Sequence, residues 1–409
     1  MSTITIKDSL MLPCGAEIKN RIGKSAMSEA MASKGGVANQ ALCTLYERWA
    51  KGGSGLLITG NIMIDRKALG ELGNVVIEKG KEDPYLKKWA EAGSVNGTHI
   101  WTQINHPGKQ SPKFLSKEPV APSAVALRPP MDKMFNQPRE LTEAEIWDLV
   151  ERYGYAAKTA KESGFTGVQI HGAHGYLVSQ FLSGHSNKRT DQWGGNAENR
   201  MRFVSEVYKA MRSQVGDKFP VSIKMNSADF QKGGFTNEES MDVAQYLSEQ
   251  GMDLIEISGG TYEAPEMMGN IKKESTKKRE AYFLEYCEKV RKVVKTPLML
   301  TGGFRSLDGL NSALASGDCD MVGIARSVAI NPEFPNQLLA GEAVESAVKP
   351  LTTGFKFLDK IVPLEILWYT EQLRLMGAGK EPNPKRKAIG VAWDTLYKVG
   401  TKSFKKVRA

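Results

Sequence analysis

Eight short β-prone segments, at 21–27, 55–63, 99–105, 167–171, 220–226, 253–258, 297–302 and 320–325, recur along this chain. Most of the stretches between them space their apolar residues as a helix does, as at 146–163, 198–215, 238–250 and 283–294. Strand and helix alternating eight times calls for parallel strands closed into a (β/α)8 TIM barrel, the fold class predicted here. An open doubly wound sheet is the structural alternative, but no GxGxxG follows the first strand. We expect residues 1–345 to form one barrel and 346–409 a C-terminal extension, first helical and then basic.

The ends of these segments carry the unusual residues: Ser25, Ala26 and Met27; Thr59, Gly60 and Asn61; Gln103; His171 to His174; Lys224; Ser258 with two glycines; Thr301, Gly302 and Gly303; and Gly323 to Arg326. In a barrel the C-terminal strand ends ring one mouth, where active sites lie. Two long loops, 106–145 and 174–196, are placed to act as lids. TGGFRS (301–306) and GIARS (323–327) put small residues directly after apolar strands, with Arg305 and Arg326 alongside. Exposed N–H groups and a guanidinium suit a phosphate; ordinary strand-to-helix turns are the plainer alternative.

The segment HGAHGY (171–176) is the most informative stretch. It delivers two imidazoles and a phenol where a buried strand emerges into a loop, an arrangement able to hold a polar atom of a small ligand and supply it with a proton. The bland alternative makes both histidines internally hydrogen-bonded and Tyr176 core. No metal site is expected: no carboxylate stands at ligand spacing, and Cys14, Cys43, Cys287 and Cys319 are scattered.

Composition bounds the remaining choices. Apolar residues make up 41% and charged residues 25%, as in a soluble globular protein, and no apolar run approaches the ~20 residues of a membrane span. The start lacks a charged leader before an apolar core, so a cytoplasmic location is expected. Of the formal charge of +9, residues 385–409 contribute +7, so nothing in the body calls for nucleic acid. A helix over 355–376, with Pro363 starting or kinking it, is expected to pack on the barrel. The final segment interleaves Trp393, Leu396, Tyr397 and Phe404 with lysines. It reads either as weak contact with a membrane surface or a partner or, preferably, as a terminal helix docked by its aromatic side.

Several ordered motifs together resemble the Old Yellow Enzyme family of FMN-dependent NADH:flavin oxidoreductases, or ene-reductases. They are IKNRIGKSAM (18–27), QINHPGKQ (103–110), HGAHGYL with NKRTDQWGGNAENRMRF, IKMNSADFQKGGF (223–235) and the two glycine turns. The resemblance runs from about Leu10 to Leu338. It implies that Ser25, Ala26 and Met27 lie along FMN with Gly60 beneath the ring, and that Gln103 meets the pyrimidine edge. Lys224 would face the side where reduced flavin is negative, while Gly303, Ala325 and Arg326 hold the phosphate. It also implies that His171 and His174 donate to a substrate carbonyl oxygen and that Tyr176 protonates the α-carbon. A phenol, with an ordinary pKa near ~10, retains its proton at neutral pH and suits that task.

Departures from the family pattern are Lys224 for arginine, Ser28 at a flavin-tuning and substrate-side position where relatives have cysteine or threonine, Ala30 near a substrate-facing tyrosine, and Ala325 for glycine. The function implied is NAD(P)H-driven reduction, through FMN, of the activated C=C bond of an enone or enal, in a homo-oligomeric enzyme. The rivals are a related flavin amine dehydrogenase or demethylase and a non-redox phosphate-binding barrel enzyme, for which Lys224 is the only credible lysine.

Overall fold

The computed structural model describes residues 4–261, 263, 283–355, 364–391 and 393. Its eight parallel strands are β1 (Ile22–Lys24), β2 (Leu56–Met63), β3 (His99–Asn105), β4 (Gly167–Gly172), β5 (Val221–Asn226), β6 (Leu254–Ser258), β7 (Leu298–Thr301) and β8 (Met321–Ile324). Pairing runs in sequence order, and β1 bonds to both β8 and β2, which closes the barrel. Every expected strand is present; most are shorter by a residue or two, His99–Asn105 keeps its bounds and Gly167–Gly172 runs one residue further. The largest difference is at the first, which stops at Lys24 and leaves Ser25 to Met27 beyond the ladder.

Around the barrel run α1 (Gln40–Lys51), α2 (Tyr85–Gly93), α3 (Glu143–Glu162), α4 (Leu177–Leu182), α5 (Ala197–Val215), α6 (Asn237–Glu249), α7 (Leu284–Arg291), α8 (Leu307–Ala315), α9 (Arg326–Ile330) and α10 (Phe334–Ala340). Their starts follow local chemistry. Thr142 and Glu145 cap α3 reciprocally, each side chain bonding the other residue's backbone N–H, and Thr236 with Glu239 repeats the device on α6. Between helices and strands lies an aromatic core: Tyr46 meets Trp49 and Trp89 edge-on at 5.1 and 5.2 Å, and Trp89 meets Phe165 at 5.6 Å. Each such fully buried ring removes enough apolar surface from water to contribute about 1.5–3 kcal/mol. A short antiparallel hairpin, Leu10–Met11 with Glu17–Ile18, closes the N-terminal end over Leu56, Trp101, Leu254 and Met299.

One further helix, α11 (Leu364–Gly377), crosses α1 and α9 and buries Trp368, Tyr369, Leu373 and Met376. Gly377 lets it sit against α1, since a Cβ there would stand 2.9 Å from the Ala41 carbonyl oxygen. Trp368 Nε1 donates to the Arg386 carbonyl at 2.8 Å, which ties the next segment to the helix. This is the helix expected over 355–376. Residues 356–363, with Pro363, lie outside the described residues, as does the tail beyond Trp393 with Leu396, Tyr397 and Phe404. Among the described residues, no helix is long and apolar enough to cross a membrane.

Candidate active site

The C-terminal strand ends surround a cavity of about 240 Å³. Its walls are the stretch from Ser25 to Ser28 after β1, Lys224 of β5, Ser258 of β6, Thr301 and Gly302 of β7, and Ala325 and Arg326 after β8. Polar and small residues converge here from six of the eight strand ends, His174 representing β4, whereas those of β2 and β3 do not reach the wall. What the strand pattern did not supply is a roof: Ile366, Tyr369 and Leu373 of α11 cover the cavity from outside the barrel.

Beneath the cavity a polar chain threads the barrel interior. Gln103 Nε2 donates to Gln169 Oε1 at 2.8 Å, and Gln169 Nε2 donates to Glu256 Oε2 at 2.9 Å. The other carboxylate oxygen accepts from Lys224 Nζ at 2.9 Å and from Thr301 Oγ1 at 2.8 Å. Ser25 stands 2.8 Å from Thr301 Oγ1 and, that proton being committed, donates to it. Glu256 is fully buried and Lys224 nearly so. Three donors, one of them an ammonium, meet a carboxylate that burial alone would strand. The Lys224 charge is therefore neutralised by a neighbour rather than standing alone.

The two histidines form a second chain. His171 Nδ1 lies 2.8 Å from Asn61 Oδ1, His171 Nε2 lies 3.2 Å from His174 Nδ1, and His174 Nε2 lies 2.9 Å from Ser258 Oγ. With Asn61 accepting, one proton order fits neutral rings: Ser258 donates to His174, His174 to His171, and His171 to Asn61. Burial is the largest force holding both imidazoles well below their ordinary pKa, and the Lys224 charge acts the same way. His174 reaches this place through a left-handed backbone (φ 61°), held by the Asn226 side chain accepting its N–H at 3.1 Å. Tyr176 is buried with its ring edge-on to His171 at 4.7 Å. Both imidazole N–H groups are engaged within this chain, so donation to a ligand oxygen requires the His174–His171 bond to open.

A third network lies under the stretch from Ser25 to Ser28. Lys24 is fully buried; its ammonium donates to Tyr46 Oη at 3.1 Å and to the Ile58 carbonyl, 4.6 Å from the Trp49 ring centre. Burial lowers its pKa to about 8 against the opposing pull of Glu29 and Glu256. Glu29 accepts from the Tyr46 hydroxyl and from Gly60 N–H at 2.8 Å. A Cβ at Gly60 would sit 2.0 Å from Glu29 Oε2 and 2.3 Å from the Met27 carbonyl oxygen, so this close approach of β2 to the β1 loop requires glycine. Lys24 is thus a buried lysine behind this stretch that does not line the cavity, whose wall carries Lys224.

Of the residues expected to meet a cofactor, Ser25, Ala26, Met27, Lys224, Ala325 and Arg326 line the cavity, together with Ser28 and His174. Gly60 lies behind Met27, Gln103 within the barrel chain, Gly303 one residue beyond the cavity wall, and His171 and Tyr176 behind His174. Arg326 pairs with Glu365 of the roof at 3.5 Å. Sequence reasoning passed over Glu256, Gln169, Lys24 and Glu29. A signal existed for the first three: each is a polar residue inside a parallel strand buried on both faces, a position it can hold only with partners. Among the described residues, no group of three or more His, Cys, Asp and Glu is placed to hold a metal.

The residues present fit a flavin phosphate. Gly302 and Gly303 hold left-handed backbone (φ 126° and 91°), the conformation of a tight turn between β7 and α8. No side chain caps the start of α9, and Arg326 opens that helix. Fold and site together define a (β/α)8 barrel with a phosphate-ligand cradle at its mouth.

The chain matches the NADH:flavin oxidoreductase / NADH oxidase family over residues 13–345 and belongs to it. It is 36% identical over 364 residues to the NADH-dependent flavin oxidoreductase iliE of Hypocrea jecorina, covering 83% of this chain and 90% of that protein. The NADH-dependent flavin oxidoreductase iccE of Talaromyces variabilis is 34% identical, with 85% and 89% covered. Among solved structures, morphinone reductase superposes with a TM-score of 0.71 at 25% identity, covering 83% of this chain and 92% of that one. A 2-naphthoyl-CoA reductase gives 0.77 at 27%, and this chain spans about half of it (53%) while 84% of this chain is covered. The enzyme is thus of Old Yellow Enzyme type and uses FMN with NAD(P)H.

Proposed function

We propose that the enzyme reduces the activated C=C bond of an α,β-unsaturated carbonyl compound, with NADH, the donor in the names of its curated relatives, as reductant. FMN, when bound, supplies the redox chemistry. Ser25, Ala26, Met27, Gly60, Gln103, Lys224, Gly303, Ala325 and Arg326 would hold it, with Arg326 and the glycine turn at the phosphate. His174, at the cavity wall, gives its Nδ1–H to the substrate oxygen as the His174–His171 bond opens, and His171, oriented by Asn61, joins it once its own proton moves from Nδ1 to Nε2. Donors placed where charge develops contribute roughly 2–4 kcal/mol each to the transition state. Tyr176, packed on His171, delivers a proton to the α-carbon.

The observation that carries this reading is the neutral imidazole pair, with His174 at the cavity wall and His171 and the Tyr176 phenol packed behind it. It suits a carbonyl oxygen better than an amine, which brings its own donors. Anaerobic addition of NADH to the flavin-loaded protein should bleach its colour, and an enone should restore it. Bleaching without recovery by enones or enals would defeat the substrate assignment.

A second reading has its own support. Histamine dehydrogenase from Rhizobium superposes with a TM-score of 0.71 at 25% identity, and Phe283 and Tyr369 give the cavity an aromatic side. Bleaching by an amine in the absence of NADH would favour it.

A further inference from the structure

Glu71 has no part in the chemistry above, yet its carboxylate reaches the cavity wall. It sits in the loop after β2, whose fold is set by Asn74: the Asn74 side-chain oxygen accepts from Gly70 N–H at 3.1 Å and Glu71 N–H at 2.9 Å. The loop is pinned at both ends. Ser111 Oγ donates to the Leu69 carbonyl at 2.7 Å, and Ala32 N–H donates to the Gly73 carbonyl at 2.9 Å. Gly73 (φ 86°) presses on Ala30, where a Cβ would meet backbone at 2.6 Å. So fixed, Glu71 Oε1 accepts the Ser28 hydroxyl proton and an Asn74 N–H at 3.2 Å. Ser28 itself lines the cavity, and its carbonyl is held from the roof by Thr370 at 3.4 Å.

A serine hydroxyl has one proton to give, and an ionised carboxylate can only accept. While Glu71 is charged, the Ser28 proton points away from the cavity and its lone pairs face inward. A protonated Glu71 is itself a donor; it can give its proton to Ser28 Oγ and free the Ser28 O–H to turn into the cavity. We propose that Glu71 is a positioning residue which, through Ser28, sets whether the cavity wall offers the flavin edge an acceptor or a donor, and that proton uptake by Glu71 reverses this polarity.

The surroundings bring that proton within reach. Burial raises the Glu71 pKa above the ordinary carboxylate value, and the nearby Glu29 charge adds to it. The hydrogen bonds from Ser28 and Asn74 and the charge of Arg374 on α11 oppose the rise without cancelling it. Arg374 is anchored on the Ala30 carbonyl at 3.2 Å, and the Tyr176 ring approaches the loop at Gly70.

The inference rests on the reading that Ser28 meets the bound flavin, and the experiment separates the two. Oxidised flavin absorption and the midpoint potential of the holoenzyme are followed from pH 5 to 8 in the wild type, Glu71→Gln and Ser28→Ala. The expected result is a one-proton shift of the flavin band in the wild type that is lost in both variants. The wild-type potential should lie below that of Glu71→Gln at pH 8 and approach it as the pH falls, because a glutamine, like protonated Glu71, is neutral and can donate to Ser28. A shift that persists unchanged in Glu71→Gln overturns the role of Glu71. A Ser28→Ala spectrum identical to the wild type at every pH, with FMN bound, overturns the reading that Ser28 meets the flavin. If Glu71→Gln does not fold, Glu71→Asp, whose shorter side chain withdraws the carboxylate from Ser28, takes its place, and a shift that persists unchanged in it overturns the role of Glu71.

Discussion

Glu256→Gln tests the polar chain inside the barrel. Lys224 Nζ, Gln169 Nε2 and Thr301 Oγ1 all donate to the Glu256 carboxylate. A glutamine keeps one acceptor oxygen but turns an NH2 group on at least one of these donors, and it leaves the Lys224 ammonium buried without a counter-charge. At 2.9 Å and an effective dielectric of about 20, the lost attraction is about 6 kcal/mol, and measured losses of one partner from buried pairs are about 3–5 kcal/mol. With an unfolding entropy of about 2.1 cal/mol/K per residue over 409 residues, such a loss lowers Tm by about 4–6 °C.

The flavin should respond in the opposite sense. A lysine freed of its counter-charge stabilises the electron-rich reduced form, so the midpoint potential should rise while stability falls. Differential scanning calorimetry and a dye-coupled potential measurement on the same preparation check both. The double variant Glu256→Gln/Lys224→Met removes the stranded charge and should regain most of the lost stability. A single variant with unchanged Tm and unchanged potential would refute the argument, because the carboxylate would then not be neutralising Lys224.

Tyr176→Phe should slow enone reduction by roughly 10²- to 10⁴-fold while leaving flavin reduction by NADH nearly intact; stopped-flow measurement of each half-reaction separates the two. Arg326→Ala removes the guanidinium at the cavity rim and should weaken FMN binding by about 1.5–3 kcal/mol, roughly 10- to 150-fold, read by fluorescence of released flavin. All five histidines lie below their ordinary pKa, with burial the largest cause in each and His106 lowered to about 4. The unfolded chain therefore binds protons in acid that the folded one does not. Stability from this source is complete above pH 6.5 and drains as the pH falls toward 4, so urea midpoints should drop across that window.

The barrel was legible because its strands are buried on both faces and read as apolar runs bounded by glycines and helical spacing. Elements of the site that sit at strand ends were legible for the same reason: Lys224, His171 and Arg326 stand at predictable points along such runs. The contacts that fix these side chains were not, because their partners are far apart in sequence. Ser28 and Glu71 are 43 residues apart, and Gln169 and Glu256 are 87. The roof was half visible. A helix after residue 355 was expected to pack on the barrel, but α11 buries residues on more than one face, one set against α1 and another over the cavity. Residues spread in this way leave no single stripe to show where the helix docks.

The order of the chain adds a consequence for the roof. Every strand and every wall of the cavity is complete by Arg326, whereas its cover comes from residues 364–377. A gene truncated between these points would encode every strand yet leave the cavity open to bulk water and the faces of α1 and α9 uncovered. Such a protein could keep its colour and still lose its discipline, handing electrons to whatever small oxidant diffuses in. Selection on those last residues therefore acts on two properties at once: the cover over the cavity, through Ile366 and Tyr369, and the packing of the barrel's outer helices, through Trp368 and Met376.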